Sequence, residues 1–102
     1  LTESEIEQIA QLLLNDLRRR LADRRITLDV SEEALRLIAR RGYDPVYGAR
    51  PLRRFIAHEV ESKIGRALVG GDVQDGAVIH LVTADGELTV TFDNPPPAEV
   101  AA

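Results

Sequence analysis

Residues 42–54 read Gly42-Tyr43-Asp44-Pro45-Val46-Tyr47-Gly48-Ala49-Arg50-Pro51-Leu52-Arg53-Arg54. Two glycines and two prolines within 42–51 forbid a continuous helix through this tract. Pro51 suits the first position of a new helix, where its missing N–H costs nothing. Arg50, Arg53 and Arg54 crowd that start. A helix N-terminus carries partial positive charge and unpaired N–H groups, so each cation there is unfavourable by roughly 0.3–1 kcal/mol. Two explanations stand level on the pattern alone. Either an anion belongs there, held by guanidinium forks and free N–H groups, or the arginines bond to acidic residues of this chain or of a neighbour. Gly48-Ala49 lets the backbone approach a ligand closely, because neither side chain obstructs.

Upstream, the preceding helix obeys the rule that its successor breaks. Ser31 is an N-cap, Glu32 and Glu33 lie in the first turn, and Arg40 and Arg41 lie in the last. Leu35, Ile38 and Ala39 form its buried face, and Gly42 is expected to stop it. Residues 25–30 alternate, with Ile26, Leu28 and Val30 on one side, and predict a short strand. Before that, Ile6, Ile9, Ala10, Leu13, Leu17 and Leu21 recur at helical spacing over residues 4–22. Leu12 and Leu14 widen the stripe, so this helix is expected to touch more than one surface. Thr2 with Glu5, or Ser4 with Glu7, has the spacing of a capping box.

Downstream, the third helix is predicted over 51–69, burying Leu52, Phe55, Ile56, Val60, Ile64 and Ala67, and ending at Gly70-Gly71. Residues 77–83 and 88–92 are β-rich and flank Asp85-Gly86, which predicts a hairpin. A lone hairpin is marginal, so strand 25–30 is expected to join it. The fold class is therefore α+β: three helices and a small three-stranded sheet. The folded unit is expected over 1–92, and 93–102 is expected to be a disordered, Pro-rich tail.

The bulk numbers set limits. A chain of 102 residues suits one domain, and 44% hydrophobic residues provide a core without staples. There is no cysteine, which excludes disulfides, thiol catalysis and Cys-based zinc sites. The net charge of −4 argues against nucleic acid and anionic membranes as partners. No apolar run approaches the roughly 20 residues of a membrane span. The absence of cysteine makes a cytoplasmic protein the expected reading; no signal peptide is read before the first helix, and the opening at a helix start is expected of a fragment of something longer. His58 and His80, the only histidines, match no metal or triad spacing and are expected in surface or hydrogen-bonded roles. Glu59 and Lys63 form an ordinary i, i+4 pair, and Arg18-Arg19-Arg20 with Arg24-Arg25 reads as a solvated basic face. Tyr43 and Tyr47 are expected to bury their rings and tie the loop by their hydroxyls.

The tract 42–54 resembles the signature of the second small domain of Clp ATPases, and Leu21-Ala22-Asp23-Arg24-Arg25-Ile26-Thr27-Leu28 is similar to the same family. Tyr47 fits the ClpB-type AAA+ disaggregases. The resemblance covers 1–92 and departs from the family at Leu13, at Phe55-Ile56-Ala57-His58-Glu59 and at Ser62-Lys63. It implies that Arg50 is the sensor 2 arginine, reaching the terminal phosphates of ATP on the neighbouring large subdomain. It implies that the adenine edge lies near Ala49, beside Gly48, and near Ile9. As a plain core residue Ile9 would look the same, and that reading is preferred. No glycine opens a Gly-x-x-x-x-Gly-Lys-Ser/Thr loop, so this chain alone is not expected to hydrolyse ATP, and Mg²⁺ would be bound outside it.

The resemblance further implies a subdomain of a homo-hexameric chaperone. It would contact the large ATPase subdomains of its own and the next subunit, and the whole machine would handle aggregated protein with a co-chaperone. The competing expectation is a stand-alone, arginine-rich module that captures an acidic protein partner or RNA.

Overall fold

The structure, a computed structural model, describes residues 2–96. Helix α1 spans Glu3–Leu21. Thr2 is its N-cap and decides between the two capping boxes: the Thr2 N–H donates to Glu5 Oε1 at 2.8 Å, and the Glu5 N–H donates to Thr2 Oγ1 at 3.1 Å. A 3-10 turn over Ala22–Arg24 comes next, and Arg25 adopts a left-handed φ of 56° that turns the chain into the sheet. Strand β1 therefore starts later than expected and spans Thr27–Val30. Helix α2 spans Glu32–Gly42, capped by the Ser31 hydroxyl, which accepts from the Ala34 N–H at 3.1 Å.

The third helical stretch is a rod of three pieces joined without a break in helical dihedrals. These are α3 (Arg50–Phe55), a π-helical turn (Ile56–Glu61) and α4 (Ser62–Val69). Arg50 is its first residue, so Pro51 stands second rather than first. Strands β2 (Val78–Ala84) and β3 (Glu87–Asp93) pair antiparallel around Asp85 and Gly86. Both turn residues have positive φ, 53° and 76°, the mirror-image turn that matches strand twist.

The sheet order is β1-β2-β3, with β1 parallel to β2. A parallel pair needs a long crossover, and α2 with the third rod supplies it. The helices cover one face of the sheet. Leu28, Ile79, Leu81 and Leu88 point into the core and meet Ile6, Ala10, Leu14, Leu17 and Leu21 of α1, Ile38 of α2, and Leu52, Ile56, Val60 and Ile64 of the third rod. Val73 and Ala77, from the link into β2, complete that core.

Two expectations about the helices change further. The buried stripe of α1 runs through Leu14; Ile9 and Leu13 are half-buried at its flank, and Leu12 is 68% exposed. At roughly 100° per residue, Leu12 lies on the far side of the helix from the centre of the buried arc. Gly42 is the last residue of α2 and is buried, while the cap is the extended Tyr43. Its glycine serves a close approach: a Cβ there would collide with Leu52 Cδ1 and stand 3.0 Å from Leu52 Cα.

Of the tail expected from Asp93, the described part is in definite contacts. Asp93 ends β3, the Asn94 amide donates to the Asp72 carbonyl at 2.8 Å, and the Gln74 N–H donates to Asn94 Oδ1 at 2.8 Å. Residues 97–102 lie outside the described residues.

Candidate functional site

The loop between α2 and α3 closes on itself. Asp44 and Gly48 form a two-way backbone bridge, with N···O distances of 2.8 and 2.6 Å. Asp44 Oδ1 accepts from the Val46 N–H at 2.7 Å and from the Tyr47 N–H at 3.0 Å. One carboxylate thus organises the turn in place of the tyrosines. Tyr47 is 62% exposed and Tyr43 is 37% exposed, so neither buries its ring as expected. The signal for Asp44 lies in the sequence: an Asp whose side chain can reach amides two and three residues on is an Asx turn.

Gly48 closes the bridge with φ of 67°, and nothing stands within 4 Å of where its Cβ would be. The chain then passes Ala49, whose carbonyl accepts from the Leu52 N–H at 3.0 Å, and enters α3. Leu52 is fully buried against Gly42. That packing fixes the start of α3 and with it the root of Arg50, two residues away.

Tyr47, Arg50, Pro51 and Arg54 line a groove of about 260 Å³. Gly48 and Ala49, half-exposed, lie between Tyr47 and Arg50 in the chain. Ile9 is on another element, packed at the edge of the core, and does not line this groove.

Charge pairing divides the arginines into two groups. Arg18 donates to the Leu28 carbonyl at 3.1 Å and to Asn15 Oδ1 at 2.8 Å. Arg19 pairs with Asp16, Arg20 with Glu61 at 3.0 Å, and Arg24 with Asp75 at 2.7 Å. Arg36, Arg40 and Arg41 pair with Glu32, Glu3 and Glu87. The Arg41 hydrogen bond holds the Glu87 carboxyl below its ordinary pKa. The basic stretch at the end of α1 is therefore largely absorbed within the chain, which sequence alone does not reveal. Arg50, Arg53 and Arg54 are all exposed and make no ion pair or side-chain hydrogen bond among the described residues. Of the two explanations for the cluster, pairing with acids of this chain is not what those residues do.

The remaining candidates are structural. Lys63 meets Glu59 at 3.8 Å, and His80 is held by two aspartates on the solvent side of the sheet. Among the described residues no cluster of His, Cys, Asp or Glu is arranged to hold a metal ion, and no helix is long and apolar enough to cross a membrane.

A family model described as the C-terminal, D2-small domain, of ClpB protein matches residues 1–81. The chain belongs to the ClpB D2-small family. Chaperone protein ClpB of Meiothermus ruber is 49% identical over 98 residues, which is 96% of this chain and 11% of that protein. Chaperone protein ClpB of Clostridium perfringens is 40% identical over 91 residues, 89% of this chain and 10% of that protein. Chaperone protein ClpB of Streptomyces albus G is 43% identical over 90 residues, 88% of this chain and 10% of that protein. The chain thus spans about a tenth of the length of these relatives. The α+β architecture with its three-stranded sheet is that of a D2-small domain. Two of the departures from the Clp pattern fall where the third rod changes pitch: Phe55 to Glu59 runs into the π-helical turn, and Ser62-Lys63 opens α4.

Proposed function

We propose that this domain acts as the C-terminal small subdomain of a ClpB-type, ATP-driven protein disaggregase. In this reading Arg50 is the sensor 2 residue. It reaches the terminal phosphates of ATP held by the neighbouring large subdomain, while Gly48 and Ala49 let the nucleotide approach and Ile9 flanks the adenine. ATP is shared with that large subdomain, and Mg²⁺ is bound outside this chain. The observation that carries the reading is the uncompensated guanidinium of Arg50, rooted by a closed loop and by the buried Leu52. A charge-assisted contact of this kind contributes about 1.5–3 kcal/mol. Its partner oxygen departs with the product phosphate, so the contact distinguishes ATP from ADP and can move the domain as a rigid body.

The other face of the domain would dock on the next subunit's large subdomain in a homo-hexamer. The parent protein would then act in the cytoplasm on aggregated protein supplied by a co-chaperone. The test is steady-state ATP turnover and sedimentation of the full-length protein, with and without Arg50→Ala, in ATP and in ADP. Loss of turnover and a weaker ATP-dependent hexamer are expected. Unchanged values on both counts would overturn the phosphate-sensing role.

A further inference from the structure

Arg50 does not stand alone in its groove. Arg54 sits at i+4, on the same side of the rod, and lines the same groove. Two like charges at this spacing repel, and the chain supplies no counter-ion to either among the described residues. Elsewhere the same chain pairs Arg19, Arg20, Arg24, Arg36, Arg40 and Arg41 with acids, Arg24 at 2.7 Å from Asp75 as the shortest contact, and leaves Arg25 and Arg66 unpaired among the described residues as isolated charges. Arg53, also exposed, is absent from the groove lining, so the structure discriminates between two neighbours that look equivalent in sequence.

Building on the ATP reading above, we propose that Arg54 is a second phosphate-binding residue, holding the part of the nucleotide's phosphate chain that hydrolysis leaves in place. Adjacent turns of a helix set side chains about 5–6 Å apart at Cβ, and a guanidinium presents two parallel donors to phosphate oxygens. The two residues therefore divide the work. Arg50 contacts the terminal phosphate and senses its loss. Arg54, one turn further along, contacts the remaining phosphates and binds ATP and ADP alike. Arg54 contributes to binding in the ground state and to no step of the reaction.

The test measures affinity of the full-length protein for ATP and for ADP, for wild type and for Arg50→Ala, Arg54→Ala, Arg54→Lys and Arg66→Ala. Arg66, exposed on α4 and unpaired among the described residues, reports the effect of losing one positive charge at a distance. Arg54→Ala is expected to weaken both nucleotides by about five-fold, the scale of one exposed charged contact. Arg54→Lys is expected to restore much of that loss, and Arg66→Ala to leave binding unchanged. Arg50→Ala is expected to weaken ATP more than ADP. If Arg54→Ala binds both nucleotides as wild type does while Arg50→Ala loses ATP, the proposal for Arg54 fails and the sensing role of Arg50 survives. If neither variant changes binding, both fall. An equal loss in Arg54→Ala and Arg66→Ala would reduce the effect to net charge and overturn the proposal.

Discussion

His80 Nε2 lies 2.9 Å from Asp93 Oδ2, which ties the middle of β2 to the last residue of β3. Its Nδ1 lies 3.2 Å from Asp29 Oδ2 on β1, so a single ring spans all three strands. Asp93 and then Asp29, by hydrogen bonding, raise the His80 pKa above its ordinary value. Of the other side chains on this sheet face, Thr27, Val78, Val82, Ala84, Thr89 and Thr91 carry no charge, and Glu87 at the far end is paired with Arg41. A neutral imidazole has one N–H, so on losing its proton the ring turns a lone pair toward one carboxylate. The raised pKa fixes the sign: the contribution is full below the unfolded-state value of about 6.5 and is lost as pH rises through the folded-state value. Thermal unfolding followed against pH should show stability falling over that interval, and His80→Gln should flatten the fall. The same slope in the variant would dismiss the clasp.

Gly42→Ala should destabilise the domain by about 1–3 kcal/mol, the usual range for overpacking. The inserted methyl meets the buried Leu52, whose backbone cannot retreat without shifting α3. Urea unfolding of the domain measures the loss. Because Leu52 roots Arg50, the same substitution in the full-length protein should also lower ATP turnover, whereas an unstrained glycine-to-alanine change would do neither.

Leu14→Ala should cost about 2–5 kcal/mol, since the side chain is fully buried and its removal leaves a cavity. Leu12→Ala should change stability by less than about 0.5 kcal/mol, as most exposed substitutions do. Denaturant midpoints for the two variants separate these outcomes. Equal costs would mean that the α1 stripe runs where its simple periodicity puts it.

The sequence is legible where local chemistry decides. Thr2-x-x-Glu5, Ser31 and Asp85-Gly86 each set a helix start or a turn through contacts a few residues long. Strand β1 can be inferred to join the hairpin, but its parallel pairing to β2 depends on a crossover longer than any local pattern. The α1 stripe is displaced toward Leu14 because Leu12, Leu13 and Leu14 are consecutive, and only the packing partners choose among them. Gly42 misleads because a glycine ending a helix looks the same whether it relieves a left-handed turn or admits a neighbour. At the site, the three arginines break the rule for helix starts and stand out for that reason. The Asx turn of Asp44 that ties the loop is a local signal of the same kind, whereas which of the arginines share a groove depends on how the helix packs and becomes visible only in the structure.

Uncompensated arginines on a chain of net charge −4 also have a kinetic consequence. Positive charge at one corner and a negative balance elsewhere give the domain a permanent electric dipole. An anionic group approaching that corner is drawn in and oriented before any contact forms, while the rest of the surface turns it away. Docking of this corner onto a bound nucleotide should therefore be fast at low ionic strength and slow steeply as salt shortens the Debye length. The arrangement governs how quickly the domain closes as much as how firmly it stays closed.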